Sequence, residues 1–193
     1  MKTGVRLTVA MAAAGVVLGL LWAWLAPPIH SAAAVTKSGK RIQQYLGNEA
    51  DHYFDAAVLL AGLLVGLGVV VAVLVWQWRQ QRGPAMVVWL TVGGMAAAAA
   101  AAGVGAGLVR IRYGHFDIDA VPDDHKLHYV TQAPAVFFGH SPLQVLTVLL
   151  LPAVAAILTY AMMAAASAHD DLGVGPSGDA SVAETAPQCS STT

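Results

Sequence analysis

Cysteine occurs once in 193 residues, at Cys189. A single thiol excludes an internal disulfide framework and a cysteine-based zinc site. Charge is also scarce. Asp, Glu, Lys and Arg make up 11% of the chain, where a soluble domain averages about 25%. The formal net charge is −1, so no basic excess points to nucleic acid. Hydrophobic residues make up 57%, and the mean hydropathy is +0.63. A chain of this length cannot hide so much apolar surface in one water-soluble core, because a domain of that size still needs polar cover outside. The composition excludes an ordinary soluble enzyme and a disordered regulator, and it points to a membrane.

The apolar excess is concentrated in four stretches without Asp, Glu, Lys, Arg or His: 7–29, 56–78, 83–109 and 141–168. Trimmed at their ends they become spans 7–26, 56–76, 85–109 and 143–167. Each reaches the roughly 20 residues that a helix needs to cross a hydrocarbon core of about 30 Å. Only helices and closed barrels satisfy their backbone in lipid, and these runs lack the alternation of barrel strands. The expected fold is all-α: an integral membrane four-helix bundle over residues 1–168. Two polar interhelical segments, 27–55 and 110–141, interrupt it, and a disordered tail, 169–193, follows. The tail is rich in Ser, Thr, Gly, Ala and Pro and has too little apolar surface to offset the entropy of ordering.

Aromatic rings mark the boundaries. Trp22, Trp24, Tyr53, Phe54, Trp76, Trp78, Trp89, Tyr113, Phe116, Phe137 and Phe138 all fall near span ends, as rings seeking the headgroup level would. Pro152 lies inside the fourth span and reads either as a hinge or as a static kink. Lys2 and Arg6 precede the first run, and Ser31-Ala32-Ala33-Ala34 follow it, which resembles a secretory signal. The run exceeds the 7–15 residues or so of a signal core, so an uncleaved anchor is expected.

Orientation rests on the basic residues. Lys2 and Arg6 flank the first span, and the short turn 77–84 carries Arg79 and Arg82. Lys37, Lys40, Arg41, Arg110, Arg112 and Lys126 lie on the opposite side. Density and the weight of the first helix put both termini in the cytoplasm. The protein is expected to be a multi-pass component of the cell membrane.

Three glycine pairs spaced four apart, Gly15 and Gly19, Gly62 and Gly66, Gly103 and Gly107, each share one helix face and permit close backbone approach. They suit packing within the bundle or a homodimer interface. No Asp, Glu, Lys, Arg or His lies within any trimmed span; Thr91, Thr147, Thr159 and Tyr160 are among the few polar groups there. Proton relays and ion pathways place ionisable groups at that depth, so ion coupling is not expected.

Segment 27–55 suggests a short helix near 40–46. Its Lys37-Ser38-Gly39-Lys40 is not a phosphate loop, since the first glycine and the Ser/Thr after lysine are missing. Segment 110–141 is the place for any chemistry. His115, Asp117, Asp119, Asp123, Asp124, His125 and His128 are potential metal ligands, although a solvated loop using Asp, Gly and Pro for its turns explains the same letters. Leu127, Tyr129 and Thr131 alternate as in a short strand. No catalytic constellation surrounds Ser38 or Ser141.

The motif Asp51-His52-Tyr53-Phe54-Asp55-Ala56, the turn Trp78-Arg79-Gln80-Gln81-Arg82-Gly83-Pro84 and the four spans together resemble uncharacterised actinobacterial membrane proteins grouped as a domain of unknown function. The resemblance covers roughly residues 7–167. It implies a four-span fold with loop 77–84 inside, and it carries no activity, cofactor or site residues. The expected role is a non-enzymatic accessory or structural component of the envelope or of a membrane complex. Its partners would be the lipid bilayer and other membrane proteins or a second copy, with no cofactor. The alternative is a transporter or a small-molecule- or lipid-binding membrane protein.

Overall fold

The computed structural model describes residues 2–35, 41–79, 82–114, 128–139 and 141–167. Four helices dominate it: α1 (Lys2–Leu25), α2 (His52–Trp76), α3 (Pro84–Tyr113) and α4 (Pro142–Ala165). All four are long and apolar enough to cross a membrane. α1 and α2 begin a few residues before their trimmed spans, α3 runs four past the end of its span, and α4 starts one residue early and stops two short. Lys2, Arg6, His52, Asp55, Arg110 and Arg112 therefore belong to helix ends, where they can reach the headgroup level.

Local chemistry sets these ends. Pro27-Pro28 cannot continue α1. Pro84 begins α3, where its missing N–H costs nothing. Gly114, at φ +71°, closes α3 in the left-handed region and donates its N–H to the Arg110 carbonyl at 2.9 Å. Ser141 caps α4 in a reciprocal box with Gln144.

Packing is built on absent side chains. α3 lies along α1 and also contacts α4, which in turn packs on α2. A Cβ on Gly15 would collide with the Ala97 carbonyl, and one on Gly19 would come within 2.6 Å of the Ala101 carbonyl. Gly94 faces the Ala153 backbone in the same way, and Gly68 faces the Pro152 carbonyl. Ala56, Ala57, Ala72, Ala97, Ala98, Ala101 and Ala156 are fully buried between helices. Larger side chains divide: Met11, Leu60, Leu64, Leu90 and Val148 fill the interior, while Val9, Val17, Val70, Val88, Leu158 and Met162 point outward. Small residues at the helix contacts and an apolar exterior suit lipid as solvent. Pro152 sits buried within a continuous α4, against Gly68 of α2.

The polar segments differ from the helical expectation. Residues 41–45 form a strand, not a helix. β1 (Ile29–Val35), β2 (Arg41–Tyr45) and β3 (His128–Gln132) make an antiparallel sheet in the order β2-β1-β3. Ser31 pairs with both Tyr45 and Val130. The helical reading of 40–46 failed because pairing with β1 competes with local propensity, and pairing is non-local. β3 falls where the Tyr129 alternation suggested a strand. The sheet joins the bundle at the end where α1 and α3 finish and α2 and α4 begin.

Trp22 corrects the aromatic-belt reading. It is fully buried, and its indole N–H donates to the Ala56 carbonyl at 2.7 Å, joining the end of α1 to the start of α2. Trp24, 76% exposed, is the ring that faces outward there.

Gly15→Leu should force α1 off the α3 backbone and cost about 3 kcal/mol or more, while Gly62→Leu, with nothing near it, should change stability by less than about 0.5 kcal/mol. Unfolding of the two variants in detergent micelles measures this difference.

Candidate functional site

The described polar side chains gather at two ends. Within the spans, threonines are satisfied by their own helices. The hydroxyls of Thr91, Thr147 and Thr159 donate to the carbonyls of Val87, Leu143 and Ala155 at 2.8–2.9 Å. At the turn between α2 and α3, the Arg82 guanidinium donates to the Trp76 carbonyl at 2.8 and 2.9 Å and lies 4.2 Å from the centroid of the Trp76 ring. Tyr160 packs edge-on against Trp76, and its hydroxyl accepts the Gly83 N–H at 3.1 Å. These contacts staple the turn to the end of α4.

The opposite end carries the sheet and the richer cluster. β1 alternates: Ile29, Ser31 and Ala33 are fully buried, while His30 is exposed. The buried face meets the start of α2. There the Tyr53 hydroxyl donates to Gln132 Oε1 at 2.8 Å, and Gln132 Nε2 donates to Ser31 Oγ at 3.3 Å. Tyr45 meets Tyr53 edge-on at 5.7 Å. One chain of bonds thus runs from α2 through β3 to β1 and satisfies a buried hydroxyl that would otherwise be costly. Ser31 is enclosed and hydrogen-bonded, so its hydroxyl is not presented as a nucleophile.

A second clasp holds the rim. The backbone N–H of His30 donates to the Glu49 carboxylate, and His30 Nδ1 lies 2.8 Å from Glu49 Oε2. Glu49 stands in a single 3-10 turn, Glu49–Asp51, that leads into α2. His52 Nδ1 reaches the Pro28 carbonyl at 3.1 Å. Burial opposes ionisation of Glu49. The hydrogen bonds from His30 and the attraction of His30 and His52 outweigh it, and the carboxyl lies below its ordinary 4.5.

Of the metal-ligand candidates, His115, Asp117, Asp119, Asp123, Asp124 and His125 lie outside the described residues, as does the tail. His128 opens β3 opposite Ala33. Among the described residues no group of three His, Cys, Asp or Glu is placed to hold a metal. Of the glycine pairs, Gly15 and Gly19 meet α3, whereas Gly62, Gly66, Gly103 and Gly107 have nothing within 4 Å of a built Cβ. Sequence reading missed His30, Ser31, Tyr45, Glu49 and Gln132. The alternation Ile29-His30-Ser31 was a signal, but a weak one amid alanines.

Four lipid-compatible helices with a small water-side sheet define a four-span integral membrane protein. The chain belongs to the family described as Protein of unknown function (DUF2567), whose model matches residues 11–174. It is 52% identical over 174 residues to uncharacterized proteins of Mycobacterium bovis and Mycobacterium tuberculosis, covering 89% of this chain and 90% of each relative. It is also 52% identical over 171 residues to an uncharacterized protein of Mycobacterium leprae, covering 88% of this chain and 86% of that one. No solved structure matches it.

Because the folded-state carboxyl of Glu49 titrates below its unfolded value, the stability it contributes is complete above pH 4.5 and is lost as pH falls below it. Thermal unfolding in detergent from about pH 7 to about pH 3 should show a larger loss for the native chain than for Glu49→Gln, which lacks the carboxylate throughout.

Proposed function

We propose that the protein is a non-enzymatic accessory or structural component of the cell envelope or of a membrane complex. In this reading the bundle is an anchor, and the sheet is the surface offered to another membrane or envelope protein. The carrying observation is the sheet's outer face. Tyr129 is 74% exposed and Ile42 45% exposed, on a sheet pinned to the bundle by the Tyr53–Gln132–Ser31 chain. Exposed aromatic and aliphatic side chains on a rigid support are the usual anchors of an interface.

The transporter reading has less support. Close helix contact through glycine and alanine, with Met11, Trp22, Leu60, Leu64, Leu90 and Val148 packed between, fills the described interior with backbone and apolar side chains. The threonines of the spans spend their hydroxyls on their own helices. A substrate path needs polar groups that are free to line it.

Both termini are assigned to the cytoplasm of a cell-membrane protein, with the sheet outside. Lys2 and Arg6 before α1 and the arginines of the short turn support this. Retention of α1 belongs to the same reading and is supported by its packing along α3 and by the burial of Ser31 and Ala33 in the central strand. A photo-crosslinking residue at Tyr129 in native membranes should capture one protein reproducibly. Capture of lipid alone would contradict the proposal.

A further inference from the structure

We propose that copies of this chain assemble side by side in the membrane, α2 of one docking on α3 of the next, with Asp55 paired to Arg110 of the neighbouring copy. This goes beyond the accessory role, because it concerns the lipid-facing helices rather than the sheet.

The faces involved point away from the bundle. Gly62 and Gly66 on α2, and Gly103 and Gly107 on α3, are exposed and have nothing within 4 Å of a built Cβ. Each open pair lies under an exposed charge. Asp55 precedes Gly62 by seven residues and Gly66 by eleven, and Arg110 follows Gly107 by three and Gly103 by seven. Those spacings return to the same helix face. Asp55 and Arg110 are exposed, and neither forms an ion pair with another described residue.

The charges also match in depth. α2 descends from the sheet end and α3 ascends to it, so two copies standing the same way up present these helices antiparallel. With Asp55 level with Arg110, Gly62 and Gly103 each lie about 10 Å deeper at 1.5 Å per residue. One face carries an anion and the other a cation, over small residues that let two backbones approach. Lipid gives helices no hydrophobic reason to associate, so close packing and polar contacts must supply one. Within one copy α2 and α3 barely touch, and the proposed contact joins two different faces. The contact is therefore heterologous and builds a row or a ring rather than a two-fold pair.

The test uses the full chain in native membranes, with Cys189→Ser throughout and two differently tagged copies. One copy carries Val69→Cys and the other Ala96→Cys. Each position lies fourteen residues from its charge, about 20 Å deeper. Oxidation should link the two copies. Asp55→Arg or Arg110→Asp in both copies should lower the yield about fivefold or more. The double reversal should restore it, which also shows that the reversed chains fold. Crosslinking no greater than for Val9→Cys with Val154→Cys, on other lipid-facing surfaces, would overturn the proposal. So would a yield indifferent to charge reversal, or a double reversal that fails to restore it.

Discussion

Gly15 and Gly19 let α1 lie directly on the backbone of α3, and the rest of the molecule is arranged around that contact. It fixes how α1 lies on α3, and so where the chain that leaves α1 after Pro27-Pro28 begins β1. In lipid, apolar side chains gain little by leaving the solvent, so close fit matters more than burial. The same device recurs at Gly94 against Ala153 and at Gly68 against Pro152. Glycine and alanine are therefore structural here: larger residues would separate the helices and unseat what they carry.

What they carry is a small sheet joined to the bundle by specific bonds. Three strands of five to seven residues bury little apolar surface among themselves and gain their stability by packing on the helices. Trp22 ties α1 to α2 under the sheet. Tyr53, Gln132 and Ser31 tie α2 to β3 and β1, and Glu49 fastens the rim to His30. These links draw on residues far apart in the chain. The sheet's order thus depends on the bundle, which supports a role as a held surface rather than a free domain.

The four spans were legible because lipid imposes a constraint on consecutive residues: about 20 apolar positions in a row. The caps at Ser141 and Gly114 are local too. The sheet was not legible in the same way. β1 reads as Ile29-His30-Ser31-Ala32-Ala33, whose small residues also suit a processing site, and its partners lie about ten and a hundred residues away. Residues 41–45 carry Arg and Gln, which favour a helix until a neighbouring strand is supplied. Trp22 lay at a span boundary, but a linear pattern does not tell a lipid-facing ring from one turned inward. The site residues are polar groups satisfied only by distant partners, and no spacing rule joins His30 to Glu49 or Tyr53 to Gln132.

A folded sheet is held over one end of the four-span bundle, and the proposed orientation puts that end outside. Cysteine accessibility along Ile29–Ala33 in intact cells, with Cys189→Ser as background, tests it most directly. An impermeant thiol reagent should label cysteines at positions 30 and 32 and spare those at 29, 31 and 33, following the pleat. Uniform labelling of all five would contradict the sheet, and labelling that requires permeabilised cells would contradict its placement outside.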